Sequence, residues 1–316
     1  MDTTFTFLGL TGHAYGLCAA VAAALLLIGM KLAGRRLPAG TVSLFGVLGI
    51  ALGMIGARVL YCLCNLTSFT ETFENPWLML NFFDGGLSWP GMMLGLLAAA
   101  AIAARAVKAP FADVMDAACL PMGLSMAALR LGEPFTDLGV GKAVTEGFAT
   151  ANLPWLFQQS RMGVAVEYRL NVWMYEAAAG AVIFVLCLLL YRRLSKRSGC
   201  MALFFFSLFG ASQILLESMR DDGHMLLIFL RIGQVGAALM PLIATGILLH
   251  GESAKRKMIA WLVQLICVAL IVVLKFSLDG RLTFGTPTLL RDYSIMAVVC
   301  AVMFAQPCTL LWKKTR

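Results

Sequence analysis

Four arginines in this chain fall where a charge is expensive. Arg58 lies near one end of the apolar run 41–63, Arg130 closes the run 110–130, Arg220 follows the run 200–218, and Arg231 opens the run 227–249. A charged group costs about 2.5–3.5 kcal/mol at mid-bilayer on insertion scales, and less near the surface. One reading is that each guanidinium extends separately to water or headgroups. The other is convergence. A guanidinium carries a planar fork of donors that matches phosphate oxygens two at a time, so several meeting over one anionic ligand, such as a lipid phosphate, make a site.

Acidic residues accompany them. Glu217 and Arg220 stand at i and i+3, so they are expected to share a helix face and hold each other's geometry. Glu176 follows Tyr175, and Glu133 follows Arg130 in ALRLGEPF. Either these acids hold the arginines in a ligand site, or all of them form an ion-pair network that closes the bundle.

The elements that position these residues follow from composition. The chain has 316 residues, is 60% hydrophobic and only 13% charged, and has a mean hydropathy of +0.84. That excludes disorder, a coiled coil and an ordinary cytosolic enzyme. Apolar runs near 20 residues predict an all-α polytopic membrane bundle of nine helices, at 15–34, 41–63, 86–107, 110–130, 171–191, 200–218, 227–249, 258–276 and 292–312. The ten-residue alternating strands of a membrane barrel are not visible. Of the 25 basic residues, 15 sit in alternate short loops: Lys31 to Arg36, Arg105 and Lys108, Arg192 to Arg197, Lys255 to Lys257, and Lys313 to Arg316. The positive-inside rule then predicts an outer N-terminus, a cytoplasmic C-terminus and all four arginines near the outer leaflet. The net charge of +8 thus reads as topology and not as nucleic-acid binding. The first residues carry no basic stretch, so no cleaved signal peptide is expected.

Two connections are long. Residues 64–85 mix acids with aromatics and are expected along the membrane interface, while 131–170 is expected to be functional or a small head segment. Gly46, Gly49, Gly53 and Gly56 on the second span predict close helix packing. The nine cysteines are scattered; Cys62 and Cys64 lack a partnering pair, so no metal site and no cofactor is expected.

Seven segments, in order and in register from about residue 10 to 250, resemble the prolipoprotein diacylglyceryl transferase family. They are GHAYGL at 12–17, GARVLYCL at 56–63, FDGGLSWPG at 83–91, LRLGEPFTDLGVG at 129–141, YRLNVWMYE at 168–176, ILLESMRDDG at 214–223 and RIGQVGAALMP at 231–241. The resemblance implies a bacterial inner-membrane enzyme that moves a diacylglyceryl group from phosphatidylglycerol to the lipobox cysteine thiol of a prolipoprotein, with glycerol phosphate leaving. Its partners would be an anionic phospholipid, a prolipoprotein signal segment and membrane lipids, and a monomer is expected. It divides the chain into a core at 1–250 and two additional spans at 251–316.

Residue by residue, the resemblance implies that Arg130 and Arg220 face the phosphate, with Tyr15, His13 and Glu133 as further catalytic candidates. Arg58, Tyr61, Gly85, Gly86, Ser88, Tyr175, Glu176, Glu217, His224, Gly233 and Gln234 would frame the substrate cavity. This chain departs from the family pattern in places. Pro90 stands where the family has its loop histidine, Glu133 replaces a signature asparagine, Thr136 and Leu138 replace a second asparagine and a glutamate, and Asp221 replaces a proline. The base that deprotonates the thiol is therefore open among His13, His224 and Glu133. Two other readings stand beside the transferase. One is a catalytically altered relative that binds phospholipid or signal segments or uses a different acceptor; the other is a transporter, against which the absence of an inverted repeat argues.

Overall fold

The computed structural model describes residues 4–7, 10–34, 37–67, 69, 75–82, 86–136, 138–162, 165–221, 225–227, 230–282 and 289–315. Among the described residues, nine long helices carry the fold: α1 (Ala14–Ala33), α2 (Thr41–Cys64), α3 (Trp89–Ala106), α4 (Phe111–Arg130), then, after the short α5 (Phe148–Asn152), α6 (Val172–Leu194), α7 (Cys200–Met219), α8 (Ile232–Leu248), α9 (Ala254–Leu278) and α10 (Leu289–Lys314). Eight of them are long and apolar enough to cross a membrane. The exception is α8, at 17 residues. Its expected start at 227 is corrected to 232, because strands β6 (Leu226–Leu227) and β7 (Leu230–Arg231) pair immediately before it. Val47, Leu94, Leu189 and Ile243 lie exposed on the flanks, as a lipid solvent requires.

The connection at 131–170 is not featureless. Strands β3 (Val140–Val144), β4 (Phe157–Met162) and β5 (Ala165–Asn171) form an antiparallel sheet in the order β3-β5-β4. It sits where α4 ends and α6 begins. A hairpin of β1 (Thr4–Phe7) and β2 (Leu10–His13) leads into α1 at the same end. The all-α expectation thus holds for the spans, with small sheets added at one end. The basic loops gather at the other. There, Asp116 accepts hydrogen bonds from the Gly199 and Ala202 backbone N–H groups, satisfying donors that α7 leaves open at its start.

Small residues bring the helices together. A Cβ on Gly123 of α4 would sit 2.6 Å from the Gly180 carbonyl of α6, and one on Gly180 would sit 2.7 Å from that of Gly123. This reciprocal contact lies within two turns of Arg130 and one turn of Glu176. On α2, Gly56 meets the Gly91 backbone of α3, Gly49 and Gly53 face α3 side chains, and Gly46 faces Leu27 of α1, so the expected glycine packing holds. One core, with Phe205, Phe209, Met201 and Val114, fills the space among α3, α4, α6 and α7; another, with Ile214, Ala237, Met296 and Met303, joins α7 and α8 to α9 and α10.

Candidate functional site

Two guanidiniums and two carboxylates close a ring at the sheet-bearing end. Arg130 is the last residue of α4; Glu133 opens the turn Glu133–Phe135; Glu176 lies in the first turns of α6; Arg220 follows the end of α7. All four are buried. Glu176 Oε2 lies 2.6 Å from Arg220 Nη1 and 3.0 Å from Arg130 Nε. Glu133 bonds Arg130 Nη1 through one oxygen, and its other oxygen lies 3.5 Å from Arg220 Nη2. The ring is neutral, and each charge has two opposite neighbours. Burying four charges is tolerable only under such mutual pairing.

The chain conformation explains why the ring closes. Helix α7 stops at Met219, and Arg220 is extended at φ −71°, ψ 144°. Its backbone bridges Gly141 of β3, and the Asp221 N–H donates to the Val140 carbonyl at 2.9 Å. The helical i,i+3 relationship expected between Glu217 and Arg220 is therefore lost. Gly139 supplies the approach from below: its φ of +78° suits glycine, and a Cβ there would press on Glu133 Oε2 and Trp173.

Beside the ring lies a second polar group. Glu217 accepts from Trp89 Nε1 at 2.7 Å and lies 3.7 Å from Arg231 Nη1. Gly233 packs directly on the Glu217 carboxylate, so no larger residue fits there. Several buried polar atoms at this end make no hydrogen bond among the described residues: Ser88 Oγ, Glu176 Oε1, Gln213 Oε1, and both polar atoms of Gln234. Such groups are rare in folded chains.

The remaining expected residues divide. Tyr15 packs on Gly132 and lies within electrostatic reach of Glu133, Arg130 and Arg220. His13 is exposed, just before α1, and its side chain caps nothing. Tyr175 donates to the Leu156 carbonyl at 2.6 Å and so pins the connection between α4 and α6 rather than facing the ring. Arg58 donates to the Leu78, Met79 and Gly86 carbonyls at 2.6, 2.9 and 3.3 Å, under the rings of Tyr61 and Phe69. These bonds shape the loop before α3 instead of joining the ring. Gly86, at φ +64°, lies against Tyr61. Gly85 and His224 lie outside the described residues. Pro90 packs on Gly236 in the first turn of α3.

Sequence reasoning missed Trp89 and Gln213. The signal for Trp89 was present, because an indole N–H in an apolar segment needs an acceptor. An apolar groove of about 760 Å³ runs from this end along α3, α7 and α8, lined by residues including Pro90, Leu94, Phe206, Ile232, Leu239 and Ile243. Among the described residues, no cluster of three potential metal ligands occurs.

A multi-pass helical bundle with a buried arginine–carboxylate ring at one end and an apolar groove along α3, α7 and α8 defines the class: a polytopic helical membrane protein. The family model described as prolipoprotein diacylglyceryl transferase matches residues 3–250. The chain belongs to that family. Its relatives include three proteins each named phosphatidylglycerol–prolipoprotein diacylglyceryl transferase. That of Verminephrobacter eiseniae is 27% identical over 66% of this chain and 73% of the relative. That of Symbiobacterium thermophilum is 25% identical over 71% and 82%. That of Xanthomonas euvesicatoria is 29% identical over 67% and 74%. Helices α9 and α10 lie beyond the matched stretch.

Proposed function

We propose that this chain is a membrane-embedded transferase that moves the diacylglyceryl group of phosphatidylglycerol to the lipobox cysteine thiol of a prolipoprotein. The observation that carries this reading is the meeting of Arg130 and Arg220, from separate helices, around one buried carboxylate. The thiolate sulfur attacks the glyceryl carbon that bears the phosphate. A C–S bond forms, the C–O bond breaks, and its electron pair leaves with glycerol phosphate. The two guanidiniums stabilise the charge that grows on that leaving group.

Lipid phosphate enters by replacing the Glu133 carboxylate on the arginines, while Glu176 keeps them aligned. Displaced, Glu133 is available to take the thiol proton; His13 is the runner-up for that role. Tyr15, Ser88, Glu217 and Gln234 line the headgroup side, and the groove beside α8 takes acyl chain. The site faces the outer leaflet of the bacterial cytoplasmic membrane, with the N-terminus out. The alternating basic loops support that orientation. Residues 1–250 form the transferase core and 251–316 an addition to it.

The test is to incubate purified protein with labelled phosphatidylglycerol and a lipobox peptide. Lipidated peptide and glycerol phosphate are expected, and both are lost in Arg130→Ala and Arg220→Ala. Turnover that survives in both variants would remove the mechanism. One observation favours a second reading, a relative that binds lipid without turnover: both guanidiniums already have carboxylate partners. Phospholipid that co-purifies with protein unable to release glycerol phosphate would establish it instead.

A further inference from the structure

The two helices beyond the family match reach the ring through its backbone. Lys142 of β3 donates to the Leu278 carbonyl at 3.0 Å and to Asp279 Oδ1 at 2.9 Å, both at the end of α9. Asp279 Oδ1 also accepts from Lys275 Nζ at 2.6 Å. The strand so held is the one whose Gly141 bridges Arg220 and whose Val140 carbonyl accepts from Asp221. From α10, the buried Tyr293 hydroxyl donates to the Ser218 carbonyl at 3.2 Å, two residues before Arg220. Arg220 lies one residue past the end of α7 in an extended conformation. Ser218 before it bonds α10, and Asp221 after it bonds β3, which Lys142 ties to the end of α9.

We infer that α9 and α10 form a clamp that positions the Arg220 guanidinium over the leaving group, with Lys142, Asp279 and Tyr293 as its positioning residues. None of the three touches the ring, so they act through the backbone of 218–221 and 140–144. The inference rests on the transferase reading for its effect on rate. The clamp itself is a statement about structure and can be tested without turnover.

The experiment uses the full chain in detergent or nanodiscs with four variants: Asp279→Ala, Asp279→Glu, Tyr293→Phe and, for comparison, Ser277→Ala. Ser277 bonds Asp292 within the same helix pair but touches neither clamped segment. Hydrogen exchange of the amides at 140–144 and 218–221 is expected to speed up in Asp279→Ala and Tyr293→Phe, and to stay unchanged in Ser277→Ala. In transfer assays, kcat is expected to fall about tenfold in Asp279→Ala, a loss in line with a small misplacement of a catalytic group, while KM changes less. Asp279→Glu restores most of it. A merely structural role predicts lower melting temperature with kcat per folded molecule unchanged, and that result would overturn the clamp. Unchanged exchange in both variants would overturn it too, whether or not the parent protein transfers lipid. A parent protein without turnover, whose exchange still responds, counts against the transferase reading alone.

Discussion

Glu176 Oε2 is the meeting point of the site: Nη1 of Arg220, 44 residues further along the chain and just past the end of α7, lies 2.6 Å from it, and Arg130 Nε lies 3.0 Å from the same atom. One carboxylate oxygen thus aligns two guanidiniums from different helices. Glu133 then bonds each arginine from the other side.

That arrangement makes stability depend on Glu176. Glu176→Ala leaves two buried guanidiniums short of a counter-charge, and removing one partner of a buried pair costs about 3–5 kcal/mol. Glu176→Gln keeps the shape and one acceptor oxygen and costs less. Thermal unfolding in detergent checks both. A melting temperature for Glu176→Ala equal to that of the parent would show that the ring contributes nothing to stability.

The arginines separate by chemistry. Loss of one preorganised electrostatic group typically costs about 10²–10³-fold in rate. Arg220→Ala is expected to lose that much release of glycerol phosphate. Arg220→Lys retains charge without the planar fork, so it recovers only part. Equal activity in the lysine variant and the parent would mean that the fork geometry is irrelevant.

Helix packing gives a prediction independent of function. Gly95 of α3 lies against the Leu52 backbone of α2, so Gly95→Ala forces backbone apart. Overpacking of this kind costs about 1–3 kcal/mol. Gly16 of α1 has nothing within 4 Å of an added Cβ. Gly16→Ala is therefore neutral or stabilising by up to about 1 kcal/mol, the helix propensity difference. The contrast in melting temperature between the two variants is the measurement.

Acid stability has a local contributor. Burial opposes the charged form of Asp279, but hydrogen bonds from Lys275 and Lys142 outweigh it and hold its carboxyl below the ordinary aspartate value. A depressed folded pKa contributes stability that is present above the unfolded value of about 3.9. That stability is lost as pH falls through the folded value. Asp279→Asn is expected to start less stable at neutral pH and to lose less on acidification below about pH 4. Parallel curves of melting temperature against pH for parent and variant would contradict it.

Much of the architecture was legible from local pattern. Apolar runs are read by length, since the bilayer thickness is fixed, and this located all nine helices, with α8 beginning five residues late. The basic loops followed because charge is excluded from hydrocarbon wherever it occurs. Of the readings open for Arg130 and Arg220, separate extension does not hold, because both meet Glu176. Arg58 was equally suspect by type and depth, yet its donors bond loop carbonyls. The sheet at 140–171 escaped because short polar strands carry little hydrophobic periodicity.

What this sequence determined by itself was a membrane bundle with arginines at one end, because insertion energetics depend on residues one run at a time. Only the tertiary structure decided which acid meets which base. Glu217 stands three residues from Arg220, but Trp89 and Arg231 hold its carboxylate, while Arg220 bonds Glu176 from another helix. The reason is that helix α7 ends at Met219 and β3 captures the backbone of Arg220, and that capture depends on contacts between segments about 80 residues apart in the chain.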